Sequence, residues 1–358
     1  MAKDLVTRTA VRLYEERHMS VAEGPGIETL LFSNMDEDLS AAFRLDRYIS
    51  NPYGMSYRNP VNQSIIRHFA PGTTELIEVP RASEKTPIDE ELRDATAAGA
   101  EASESQVMQM AKNVDQIIGD HVEGHNMTKA KQALDVVRTG VFPARGDDGA
   151  DLGLDYDHGR NALNSIVYDF TAGGASMNEA IVDIDARLNA TGTPKGSRML
   201  IMGETWLSEF GSDSGILEIM KANAGNPILA QQMFEQQFGG INGLYVVAQF
   251  RPVGATSPYW ITAYVPGTEY TAYSGATATP FVPDTEVIAL SLADRTWNIK
   301  RGIDALDENG NYRRAVGDMV VDSFTNDDPV TTFIRSQTRH MYVYGNIDHT
   351  LKSVGTFA

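Results

Sequence analysis

Residues 105–138 form the longest stretch of this chain with helical periodicity and no proline. Val107, Val114, Leu134 and Val137, with one of Met110 and Ala111, one of Ile117 and Ile118, one of His121 and Val122, and His125, recur at roughly helical spacing. Gly119 and Gly124 each weaken such a helix by about 1 kcal/mol relative to alanine. Gly140 and Pro143 stop it. Unbroken, it would be roughly 50 Å long, which is about three times the usual globular helix. It carries no heptad repeat, so it reads as a structural spar around which the rest must be arranged.

The flanking segments are shorter. Residues 3–18 read as a short helix, and a Gly-Pro-Gly break follows at 24–26. Residues 39–49, with Leu39, Ala42, Phe43, Leu45, Tyr48 and Ile49 apolar, read as a short amphipathic helix ended by Asn51-Pro52. Two β-prone runs, 64–69 and 74–79, flank the turn residues Ala70-Pro71-Gly72-Thr73 and predict a hairpin. An isolated two-stranded hairpin is marginal in water, so this one must lean on something. A polar, Ala-rich stretch runs on to about residue 104. Residues 144–160, rich in Gly and Asp, mark a domain boundary.

Beyond that boundary the pattern is mixed. Ser176 can cap a helix that turns Ile181, Ile184 and Leu188 to one side. A strand at 198–202, a helix around 206–210 and a third helix at 215–222, capped by Asp213 or Ser214, follow. Strands are then expected at 244–250, 259–265, 286–291 and 332–344, with a hairpin turn at Asn309-Gly310. Helices first and strands later argue for an α+β fold rather than a doubly wound sheet.

Composition removes several chemistries. With no cysteine there are no disulfides, thiolate metal sites or cysteine nucleophiles. The 30 basic and 48 acidic residues give a net charge of −18, so direct nucleic-acid binding is disfavoured overall. The N-terminal residues lack the apolar core of a signal peptide, and no run of 18 apolar residues exists.

Motifs for catalysis are weak. His121 and His125 lie four apart, on one side of a helix, and a soluble metal-dependent hydrolase using that pair is the alternative reading. However, Glu123 falls one place later than in His-Glu-x-x-His, and a third ligand is missing. Gly211-Ser212-Asp213-Ser214-Gly215 has Asp where a nucleophile elbow has Ser, and reads as a turn capping the next helix. Counting back from Gly310 puts Ala305 at the first position of a calcium loop, which fails. The acids Asp147, Asp148, Asp151, Asp155 and Asp157 could hold a divalent ion or form a solvated linker. No catalytic, cofactor-binding or metal-ligating residue is assigned, and the residues favour a structural protein over an enzyme.

The order of parts resembles that of the tailed-bacteriophage major capsid proteins with the Hong Kong 97-like fold, in particular the lambda-type branch, the major capsid protein E family. The resemblance is carried by Thr139-Gly140-Val141-Phe142 closing the long helix, by Leu154-Asp155-Tyr156-Asp157, and by Met177 to Asp185. It continues through Gly192, Pro194, residues 198–202, Trp206 and Phe210, then Phe281-Val282-Pro283-Asp284 and the closing run 335–344. It implies an N-terminal arm at 1–58, an E-loop at 59–92 and a peripheral domain at 93–154 with the spine helix, completed by about 306–345. An axial domain at 155–305 would be completed by about 346–358. The sequence departs from the family at 252–278, where a Tyr- and Thr-rich stretch looks inserted.

The resemblance further implies a protein that assembles with itself into hexamers and pentamers of an icosahedral shell enclosing double-stranded DNA. The implied partners are a separate scaffolding protein, a portal and a decoration protein, with no membrane. The implied locations are the virion and, during assembly, the host cytoplasm. Residues of the hairpin expected to meet a neighbouring subunit are Ile65, Arg67, His68, Phe69, Glu75, Ile77 and Glu78.

Overall fold

The computed structural model describes residues 26–47, 73–88, 104–145, 150, 153–171, 174–222, 227–241, 243–255, 258–264, 269–271, 276–306, 312–327 and 330–357. The expected helix at 3–18 and the run 64–69 lie outside them. The chain starts with helix α1 (Ile27–Leu31), strand β1 (Asn34–Asp38) and strand β2 (Ala42–Arg47). Strands β3 (Thr73–Glu78) and β4 (Arg81–Pro87) lead to the spar, helix α2 (Glu104–Thr139). Strands β5 (Val141–Phe142), β6 (Tyr156–Asp157) and β7 (Ser165–Asp169) precede helix α3 (Met177–Ala190). Strand β8 (Arg198–Met202) is followed by helices α4 (Glu204–Ser212), α5 (Ser214–Ala222) and α6 (Pro227–Phe238). The rest is β: β9 (Leu244–Phe250), β10 (Tyr259–Tyr264), β11 (Glu269–Tyr270), β12 (Thr279–Pro280), β13 (Glu286–Ser291) and β14 (Thr296–Arg301). It ends with β15 (Ile303–Leu306), β16 (Tyr312–Ala315), β17 (Val320–Asp327), β18 (Val330–Tyr344) and β19 (Leu351–Thr356).

The spar is one helix of 36 residues with no break at Gly119 or Gly124. It ends where Gly140 takes a φ of +80° and its N–H bonds the Val136 carbonyl at 2.8 Å. A Cβ at that glycine would stand 2.9 Å from the Cβ of Arg160, so a side chain does not fit. Val114, Ile118 and Val122 pack on Ile334, Met319 and Val321. Farther along, Ala133, Leu134, Val136 and Val137 are all fully buried, because the end of α2 enters the main core together with Phe142, Tyr342 and Val343.

Two sheets carry the structure. In one, β4 and β17 flank the first part of β18, while β14 and then β1 join its last part. The other has the order β7-β19-β13-β8-β10-β9. Its central strand β8 is buried at every residue, so its two rows face two cores. Met199 and Ile201 pack with Ile288, Trp260 and Phe234 of α6. Leu200 and Met202 pack with Ile184, Leu188, Trp206 and Phe210. Helix α3 opens on the expected cap at Ser176, a full capping box with Glu179. Asp213, rather than Ser214, caps α5, its Oδ1 accepting from the Ile216 N–H at 2.9 Å.

Elsewhere the structure changes or completes the expectations. Residues 42–47 of the expected helix at 39–49 form β2, paired along its whole length with β3; Phe43 and Leu45 fit strand alternation as well as helical spacing. The other run of the expected hairpin lies outside the described residues, and the strand at 74–79 exists as β3 and pairs with β2. The polar stretch after it contains β4, whose strand state comes from pairing with 333–339. Within the stretch 252–278 the expected strand at 259–265 is present as β10, an inner strand parallel to β8. Helix α6 and strands β14, β17 and β19 were not expected.

One buried ion pair ties α3 to both central strands. Arg198 is fully buried and its Nη1 donates to Asp185 Oδ1 at 2.7 Å. Its other N–H groups reach the Thr193 and Pro194 carbonyls and Asn189 Oδ1, while Tyr259 Oη donates to Asp185 at 2.8 Å. Burial, with the bond to Asp185, pushes the Tyr259 phenol up. Asp185→Asn strands a buried guanidinium and should cost about 3–5 kcal/mol, read as a fall in the urea midpoint of the unassembled chain.

Candidate assembly site

The segment between β2 and β3 is carried on a two-stranded ribbon, in register from Ala42 opposite Glu78 to Arg47 opposite Thr73. Such a ribbon needs an anchor. Phe43 is buried and lies under the Arg301 guanidinium, 5.6 Å from ring centre to Cζ. Val79 is fully buried, and its carbonyl accepts from Arg339 Nε at 2.8 Å. Arg339 also pairs with Glu78 at 2.9 Å.

This placement divides the expected contact residues. Ile77 packs on the chain's own core and Glu78 is held by Arg339, so both anchor the ribbon base. Glu75 stands opposite Leu45 in the ribbon. Ile65, Arg67, His68 and Phe69 lie outside the described residues. Sequence reasoning missed Leu76, which is 79% exposed, and Met35 and Leu39, exposed at 57% and 55%. The signal for Leu76 was alternation: its neighbour Ile77 points inward, so Leu76 points out.

Strand β1 is pinned by charge. β1 runs parallel to β14, with every side chain exposed. Asp36 pairs with Arg301 at 2.8 Å and Glu37 with Lys300 at 3.1 Å. Lys300 also meets Asp318 at 2.9 Å, and these acids raise its pKa against the opposing effect of burial.

His121 and His125 do share a side of α2, but each is engaged by the sheet. His121 Nε2 meets Thr86 Oγ1 at 2.8 Å and His125 Nε2 meets Ser336 Oγ at 3.1 Å. His340 joins them from β18, bonded to Gln132 and Thr338. Burial, then nearby Lys129, pushes His125 down to about 4 and His340 down to about 3. Burial also lowers His121, against the pull of Glu84. Among the described residues no three His, Asp or Glu side chains are grouped to hold a metal ion. Of the acidic linker, Asp155 is taken by Arg145 at 2.8 Å and Asp157 by the Gly159 N–H. Asp147, Asp148 and Asp151 lie outside the described residues.

The sequence pattern of the family described as phage major capsid protein E matches residues 55–354. The chain belongs to that family. Its fold is Hong Kong 97-like. A protein assigned as the capsid protein of a prophage in E. coli CFT073 superposes with a TM-score of 0.58 at 14% identity, covering 98% of this chain and 99% of that one. The capsid of cyanophage P-SCSP1u gives 0.44 at 12% identity, with 92% and 87% covered. A phage-related protein from Bordetella bronchiseptica RB50 gives 0.46 at 8% identity, with 92% and 91% covered. Among curated proteins none matches.

The histidines of this capsid-family chain make its stability depend on pH. Their folded pKa values lie below the unfolded value near 6.5, so the unfolded chain binds more protons in acid. Their contribution is complete above pH 6.5 and is lost as pH falls toward about 4 and then about 3. Between pH 6.5 and 5 the unfolding free energy should fall by up to about 2.7 kcal/mol per pH unit for the two groups. His340→Gln, which keeps an amide for Gln132, should roughly halve that slope in urea titrations.

Proposed function

We propose that the chain is the shell-forming subunit of a phage head, assembling into hexamers and pentamers of an icosahedral container for double-stranded DNA. The observation that carries this is the family match over residues 55–354. The anchored ribbon supports it, because β2 and β3 pair along their whole length on a fixed base and leave Leu76 exposed. Many weak contacts of this kind combine in a shell. A net charge of −18 also suits a lining that must not trap packaged DNA.

In this reading residues 1–58 are the arm, 59–92 the E-loop, and 93–154 with about 306–345 the peripheral domain around α2. Residues 155–305 with about 346–358 form the axial domain. The six-stranded sheet supports the last assignment, since its strands come from residues 165–291 and from β19. The partners are further copies, a separate scaffolding protein, the portal and a decoration protein. The locations are the virion and, during assembly, the host cytoplasm. The histidine pair offers no observation in favour of a hydrolase.

Electron microscopy and light scattering of the chain, expressed with its scaffold, should reveal shells, tubes or ring-shaped capsomers. A chain that stays small under those conditions overturns the reading. Leu76→Asp should lower the yield of particles sharply. The same substitution should change the unfolding free energy of the unassembled chain by no more than about 0.5 kcal/mol, because the side chain is exposed.

A further inference from the structure

Three strands of the five-stranded sheet, β1, β4 and β17, have one side with no strand beside it among the described residues, and the first two carry opposite charge. β1 is paired only with β14, and β4 only with β18. An open edge offers a row of backbone donors and acceptors to another strand.

The register shows which side chains share a face. Ser336 and His340 of β18 face α2, through their bonds to His125 and Gln132. By alternation Arg335, Gln337, Arg339 and Met341 lie on the other face. Lys85 stands opposite Arg335 and Arg81 opposite Arg339, so both β4 cations share that outer face. At the other edge Met341 is opposite Ile299, and Ile299 and Arg301 are opposite Asp36 and Asp38. The Asp36–Arg301 ion pair agrees with that placement. Glu84 and Glu37, by contrast, point to the helix side, toward His121 and Lys300. The outer row is therefore cationic at the β4 edge and anionic at the β1 edge.

The two edges are also unequally neutralised. Arg335 and Arg339 are matched to Asp322 and Glu78. Arg81 bonds the neutral Gln337, and the Lys85 ammonium lies over the Phe333 ring at 5.3 Å. Neither of those contacts is a carboxylate. Like charges across a strand pair repel and opposite charges attract. The pattern thus opposes β1 against β1 and β4 against β4, and favours β1 against β4. A contact between two different patches of one chain is heterologous, and generates rings or open arrays rather than closed pairs.

We propose that β4 of one copy pairs edge to edge with β1 of a second copy, setting Arg81 and Lys85 against Asp36 and Asp38. The proposal rests on the shell reading above. It concerns a surface distinct from the β2–β3 ribbon.

The absence of cysteine gives a clean background for cross-linking. Ser83→Cys, on the outer row between Arg81 and Lys85, is combined with Asp36→Cys or with Asp38→Cys. Particles are oxidised and separated under denaturing, non-reducing conditions. A disulfide needs Cα atoms within about 7 Å. A ladder of covalent multimers is expected from one of the two double variants, with only monomer from each single variant. Covalent dimers from a single variant would show a like-edge contact and overturn the proposal. Normal particles with no ladder from either double variant would also overturn it, leaving the shell reading intact. Independently, R81E/K85E should cut particle yield about tenfold at low salt, with the urea midpoint of the unassembled chain unchanged. An unchanged yield would count against the contact. If the unmodified chain makes no particles with its scaffold, the shell reading falls and this one falls with it.

Discussion

The seam between helix α2 and strand β18 holds the two sheets in one molecule. The first part of the seam is apolar: Val114, Ile118 and Val122 sit on Ile334. The middle is polar, where His121 and His125 bond Thr86 and Ser336 and Lys129 approaches Asp318 at 3.8 Å. The last part is apolar again, with Leu134 and Val137 in the same core as Tyr342, Val343 and Ile288. Apolar contacts alone set no unique position of a helix along a strand, because they are not directional. The imidazole–hydroxyl bonds in the middle do, because a slip would leave buried polar groups without partners. Burial is what keeps His125 and His340 neutral, and neutrality is what lets them lie beside Lys129.

The spar, helix α3 and strand β8 were legible because their signals are local. The apolar spacing of α2, the Ser176 cap and the apolar run 198–202 each announce an element within one window of sequence. What was not legible depends on partners far away in the chain. RASEKTP at 81–87 has no apolar alternation, and it is a strand because residues 333–339 lie beside it. Residues 42–47 carry apolar side chains that fit two periods, and pairing with 73–78 decides between them.

The same distinction governs the candidate site. Polarity placed Glu78 at the surface, and it is exposed, but only the fold supplies Arg339 as its partner. Ile77 and Leu76 are indistinguishable by composition. Their opposite fates follow from the pleat once β3 is known to be anchored at Val79. The spacing of His121 and His125 correctly put them on one side of α2. It carried no information about Thr86 and Ser336, which come from 35 and 211 residues away.

Charge in this chain is sorted by depth rather than spread evenly. Arg198, Lys129, Lys300 and Arg301 are buried among carboxylates or carbonyls, where they fix elements to one another. The acids of β1, by contrast, lie at the surface, where every residue is exposed. A surplus of one sign keeps free copies apart and acts over about a Debye length of 10 Å in 0.1 M salt. Close contact is a different matter, since a few cations at one edge outweigh a distant average. A chain that repels its copies at long range can therefore still attract them at one edge, and the orientation of approach then decides the outcome. That combination favours ordered addition of subunits over indiscriminate aggregation, because only the approach that brings the β4 edge to carboxylates is rewarded.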